Sequence, residues 1–256
     1  MDRKFLIIPE FESLEESAKL AESYHAAFEY DDFYFSSIYD SKENTAERVR
    51  QYRALGRDMS MDTLHGVFMD LAVTSSDSVI QKRSRYLVEQ SMDTAGELGV
   101  RGVVFHTGLI GTLELPAYID NWLEKAATFW DEITEKYAPL EIYMENTFER
   151  RPDAILRLSD RLAHRRNFKL CFDYGHAVLT PTAVSHWAEQ MSARTGHIHL
   201  NDNDRINDLH KVPGDGKIDF GECRQLLERY MPEIPILLEL GGIANQKKAL
   251  SYMKNL

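Results

Sequence analysis

Short apolar runs of β type alternate with longer amphipathic stretches eight times along this 256-residue chain, and no other feature restricts its fold as strongly. FLIIP (Phe5–Pro9) precedes a helical pattern over Leu14–His25, and AFEY (Ala27–Tyr30) with an aromatic, acidic loop precedes Thr45–Leu55. DTLHGVF (Asp62–Phe68) is followed by a long helical stretch, Asp77–Leu98, which Gly99 ends. RGVVFH (Arg101–His106) leads to Pro116–Tyr137, LEIYMEN (Leu140–Asn146) to Pro152–Arg166, and FKLCFD (Phe168–Asp173) to Pro181–Ser192. HIHL (His197–Leu200) precedes Phe220–Tyr230, and PILLEL (Pro235–Leu240) precedes Ile243–Met253. Several of the helical stretches open with Pro, whose missing N–H costs nothing in a first turn. Eight strand–helix units predict a closed parallel α/β barrel of the (β/α)8, or TIM, type in a single domain over 1–256. The competing open, doubly wound sheet would carry a Gly-rich phosphate loop after its first strand, and the sequence has none there.

Such barrels keep their chemistry at the C-terminal ends of the strands. There the third strand ends at His65, the fourth at His106 and the fifth at Glu145. The sixth ends at Asp173 with His176 just beyond; the seventh supplies His199, its loop Asp208 and His210; the eighth ends with Glu239. The densest stretch is Thr195–Gly216, with His197, His199, Asp202, Asp204, Asp208 and His210 inside fourteen positions. Alternation in HIHL aims both of its histidines at one face. Mixed imidazole and carboxylate donors suit zinc, manganese or cobalt. Carboxylates about 4 Å apart repel by about 4 kcal/mol per pair at an effective dielectric near 20. Glu145, Asp173, Asp208 and Glu239 therefore could not share one mouth ionised without cations, and one to three divalent ions per chain are expected. His25, His164 and His186 fall inside helical patterns and read as surface or packing residues.

Formal charge is 30 − 41 = −11 with no basic run, which disfavours a nucleic-acid partner, because that affinity comes from Lys and Arg neutralising phosphates. Cys171 and Cys223 are the two cysteines, too few for a disulfide framework, and the balance fits a cytoplasmic protein. The apolar start is too short for a signal peptide, and no run is long enough to span a membrane. Homo-oligomerisation is left open.

The pieces LHG, FHTG, MENT, CFDYGHA, HIHLND, DLHKVPGDGKIDF and LLEL together resemble the xylose isomerase-like (β/α)8 superfamily, over about Asp62 to Leu240. That superfamily holds sugar and sugar-phosphate isomerases and epimerases together with apurinic endonucleases of the type-IV class. The resemblance implies that Glu145, Asp173, His199 and Glu239 hold one metal, as in the epimerase-like members. It implies further ligands, as in the three-zinc endonuclease-like members, at His65, His106, His176, Asp208 and His210.

The expected activity is isomerisation or epimerisation of a small sugar or sugar phosphate through a metal-stabilised enediolate, with Glu145 and Glu239 moving protons on opposite faces of the substrate. His197, Lys211 and Arg150 are the candidate substrate-binding residues, the two cations for a phosphate. The loop EYDDFYFSSIYDSKEN, with Phe33, Tyr34, Phe35 and Tyr39, would wall a small ligand and lacks the basic rim that DNA requires. The alternative is a multinuclear, zinc-type phosphoesterase in which Glu145 bridges two ions. A third reading, different in class, is a metal-binding barrel without catalysis that serves as a sensor.

Overall fold

The computed structural model describes residues 3–255. Eight parallel strands close on themselves in chain order: β1 (Phe5–Ile7), β2 (Ala27–Tyr30), β3 (Thr63–His65), β4 (Gly102–His106), β5 (Glu141–Glu145), β6 (Phe168–Asp173), β7 (Thr195–Leu200) and β8 (Ile236–Leu238), with β8 paired back to β1. The outer ring is α1 (Leu14–Tyr24), α2 (Lys42–Ala54), α3 (Ser78–Leu98), α4 (Pro116–Lys136), α5 (Asp153–Arg161), α6 (Tyr174–Val178), α7 (Val184–Met191), α8 (Phe220–Tyr230) and α9 (Ile243–Asn255). The expected barrel is what forms.

Local chemistry sets the helix ends. Asp77 caps α3 by accepting from the N–H groups of Val79 (2.8 Å) and Ile80 (3.3 Å), and Gly99 stops it in the left-handed region at φ +79°. Ser41 caps α2 and accepts from Asn44 N–H at 3.2 Å, so that helix starts three residues before the apolar periodicity does. Between β6 and β7 the sequence pattern gives one helix over Pro181–Ser192, whereas the structure has two, α6 and α7. The extra one is started by Asp173, whose Oδ1 accepts from His176 N–H at 2.5 Å.

Outward-facing strand residues and the inner faces of the helices make one continuous apolar core. Inside the barrel the fill is layered. Leu6, Ala27 and Leu237 form one small cluster, and Val104, Tyr143 and Cys171 form another. Beside them Thr63, Glu29 and His197 make a buried polar layer, hydrogen-bonded among themselves. One pleat further along, the same inward faces end in the ionisable residues, because side chains two apart on a strand share a face. Among the described residues no helix is long and apolar enough to cross a membrane.

Candidate metal centre

Register fixes which donors meet. His106 pairs with Glu145 across β4 and β5, and Asp173 pairs with His199 across β6 and β7. Glu145 is fully buried, and its two oxygens face different histidines. Oε2 stands 3.2 Å from His106 Nε2 and 3.7 Å from His65 Nε2. Oε1 stands 3.2 Å from His176 Nδ1 and 3.6 Å from His199 Nδ1. His199 Nδ1 is also 3.5 Å from Glu239 Oε2. On the far side Asp208 Oδ2 lies 3.2 Å from His176 Nε2 and 3.0 Å from His210 Nε2.

The nine donors thus fall into three sets whose ligand atoms lie within 4.8 Å of one another: His65, His106, Glu145; Glu145, Asp173, His199, Glu239; and His176, Asp208, His210. Both Glu145 oxygens, Asp173 Oδ2, His199 Nδ1 and Glu239 Oε2 are buried without a hydrogen-bond partner. Buried polar atoms are nearly always satisfied, so a cluster of orphans asks for a missing partner. Donors on one tetrahedral ion at about 2.0–2.1 Å stand about 3.3 Å apart, close to the spacings here. The residues present therefore fit divalent cations.

Outer contacts orient the rings. His65, His176 and His210 each place Nδ1 2.9 Å from a backbone carbonyl, of Gly66, Asn146 and Glu239 respectively. Donating there leaves Nε2 with its lone pair toward the site. Asn146 also ties β5 to β6, donating to the Asp173 carbonyl and accepting from its N–H. His210 is held at φ +45°, an uncommon conformation for a residue with a Cβ.

Charge in the site follows from burial and crowding. Burial opposes ionisation of Glu145, but His106 and His199 hold its carboxyl well below the usual range. Burial pushes Asp173 up to about 8 and Asp31 up to about 8. Burial would lower His65 and His210, yet Glu145 lifts the first to about 9 and Glu239 with Asp208 lifts the second to about 10. Without cations His65, His176, His199 and His210 serve as counter-ions to the carboxylates, whereas burial holds the His106 ring below its ordinary value.

The loop carrying Asp208 and His210 is built on Asp202, which is fully buried. Its carboxylate accepts from the N–H groups of Asn203, Gly214, Gly216 and Ile218 at 2.8 to 3.1 Å. A Cβ on Gly216 would collide with Asp202 Oδ1, and Gly214 sits at φ +91°, so the GDG turn shapes this loop. Asp204 is a local turn former that accepts from Ile206 and Asn207.

The candidate substrate residues lie elsewhere. His197 is buried beneath the donors, its Nε2 2.9 Å from Glu29. Arg150 is on the rim, 3.7 Å from Glu114, with Arg151 at 2.9 Å from the same carboxylate. Lys211 follows His210 where the chain bridges back to Asp202. Of the aromatic loop, Phe33 and Tyr39 pack into the core, Phe35 is 54% exposed, and Tyr34 leans on Phe68 at 5.3 Å. Phe68, which the sequence does not single out, lies 4.6 Å from the His106 ring. Glu29 and Asp31 were also missed. Glu29 lies on β2 and Asp31 directly follows that strand, and Asp31 Oδ1 is buried without a partner, within the field of His65 and Glu239.

A family model described as "Xylose isomerase-like TIM barrel" matches residues 18–256. The chain belongs to that family. A probable endonuclease 4 of Mycobacterium leprae is 30% identical over 161 residues, which span 57% of this chain and 61% of that relative's length. Among solved structures, the TTHB071 protein of Thermus thermophilus, soaked with ZnCl2, superposes with a TM-score of 0.78 at 21% identity, covering 100% of this chain and 97% of that one. A D-tagatose 3-epimerase-like protein superposes with a TM-score of 0.77, also at 21% identity, covering 99% and 96%. At those identities the structural likeness speaks for the fold.

Proposed function

We propose that this xylose isomerase-like barrel is a divalent-metal-dependent isomerase or epimerase of a small sugar or sugar phosphate. The observation that carries the proposal is the set Glu145, Asp173, His199 and Glu239, brought to one mouth from four consecutive strand ends with its inner oxygens and nitrogen unpartnered. Likeness to sugar epimerases in fold supports the same substrate class. A cation held there supplies Lewis-acid polarisation of a carbonyl and its neighbouring hydroxyl.

The chain's own groups divide the remaining work. Glu239 keeps an accessible edge, with its side chain 12% exposed, and is placed to take the proton from the carbon beside the carbonyl. Glu145, expected as its partner in proton transfer, is wholly enclosed by histidines on both oxygens and is better suited to holding cations than to moving protons. Asp31, with an unpartnered oxygen, is the second carboxyl positioned to meet a substrate hydroxyl or return a proton. Tyr34 and Phe68 give the substrate an apolar wall.

Hydrolysis of a phosphoester is the second reading, favoured by the enclosure of Glu145 between two donor sets and by the intact third set. One experiment separates them. The zinc-, manganese- or cobalt-loaded protein is incubated with a ketose panel in deuterated water, and separately with phosphodiesters and abasic DNA. Deuterium entering beside the carbonyl supports epimerisation. Cleavage of a phosphodiester without exchange in any sugar overturns it in favour of the hydrolase.

A further inference from the structure

Glu29 stands outside the three sets at the mouth, grouped instead with His197 and His199, and it is fully buried directly behind His199. A lone buried carboxylate is costly unless neighbours stabilise it, so its contacts define its task. Oε2 is occupied: it accepts from His197 Nε2 at 2.9 Å and from the Thr63 hydroxyl at 2.6 Å. Oε1 has no aligned hydrogen bond and faces His199 Nε2 at 3.0 Å. The opposite nitrogen of that ring, Nδ1, is the one turned toward Glu145 and Glu239.

We propose that Glu29 is a positioning residue of the metal centre, keeping the His199 proton on Nε2 so that Nδ1 presents its lone pair to the set Glu145, Asp173, Glu239. The inference rests on the metal-centre reading above. His199 thereby differs from His65 and His210, whose Nδ1 atoms meet neutral backbone carbonyls, and from His176, whose Nδ1 lies between the Asn146 carbonyl and Glu145 Oε1. A carboxylate behind the ring makes it a stronger donor than a carbonyl does. Thr63 and His197 act one step further out, by fixing which way the Glu29 carboxylate is turned.

Glu29→Gln tests this with almost no change in shape. The Gln oxygen keeps the Thr63 and His197 bonds, and the amide NH2 then faces His199 Nε2. Two donors cannot share that contact, so the ring's proton is driven to Nδ1, the nitrogen the cation needs. Zinc affinity of the whole chain is measured by chelator competition, and the ring state of His199 by long-range 1H–15N spectra. The expected result is a roughly ten- to hundredfold weaker zinc site in the variant, with a displaced His199 ring signature and an unchanged set at His176, Asp208 and His210. Equal zinc affinity and an unchanged ring signature in a folded Glu29→Gln protein overturn the positioning role while leaving the metal centre intact. Absence of zinc binding by the unsubstituted protein overturns both. Should the variant not fold, the zinc-loaded native protein decides: a His199 Nε2–H shifted further downfield than the Nδ1–H of His65 and His210, as a carboxylate acceptor requires, supports the inference, and an Nε2–H without that extra shift refutes it.

Discussion

Asp202→Asn separates the loop that carries Asp208 and His210 from the barrel that carries the other donors. The native carboxylate takes Asn203 and Ile218 N–H on Oδ1, and Gly214 and Gly216 N–H on Oδ2. An amide keeps one accepting oxygen and points an NH2 at the other pair. Two hydrogen bonds to a charged acceptor are then lost, at about 1.5–3 kcal/mol each. If the amide oxygen stays with buried Ile218, the losers are exposed Gly214 and half-buried Gly216, where water recovers part of the cost, and a net loss of about 3 kcal/mol results. At roughly 2–4 °C per kcal/mol for a chain of this size, thermal unfolding of the metal-free protein should fall by about 6–12 °C. Zinc stoichiometry, read alongside, should lose the ion that needs Asp208 and His210 and keep the others. A fall below about 2 °C with full stoichiometry would show that Asp202 does not hold the loop.

Other consequences can be checked independently. Glu239→Gln should abolish deuterium exchange into a substrate ketose, whereas His164→Ala, on a half-exposed ion pair with Asp131, should leave it near the native rate. Asp31→Asn should lower kcat/KM for that ketose about tenfold or more while leaving zinc content unchanged, and loss of zinc instead would make Asp31 a ligand. His65, raised to about 9, and His210, raised to about 10, should stabilise the metal-free protein fully below about pH 6.5, the unfolded value, and lose that contribution as pH climbs through 9 to 10. Cations displace those protons, so urea midpoints of the zinc-loaded protein should be flatter over the same range.

The barrel was legible because its signal is repeated: each strand–helix unit restates the same alternation, and closure in chain order follows from it. The convergence of the nine candidate donors was legible for the same reason, since strand ends are identifiable positions and the chemistry-bearing residues stand on six of them. Glu29 and Asp31 were not, because AFEY reads as an ordinary strand; the inward turn of Glu29 becomes evident only beside His197 and His199 from the far side of the ring. Asp202 looked like one more acidic donor, and nothing in its own segment shows that it is spent on backbone N–H groups up to sixteen residues away. Phe33 and Tyr39 share composition with Tyr34 and Phe35, and burial alone sorts them. Helix α6 was missed because Asp173 is both a strand end and a cap, and apolar periodicity carries no mark of capping.

The most direct measurement is anomalous diffraction from zinc-soaked crystals of this chain. The account predicts a peak among Glu145, Asp173, His199 and Glu239, with further peaks, where present, beside His65 and His106 or between His176, Asp208 and His210. A fully soaked crystal with no peak among those four strand-end residues would contradict it.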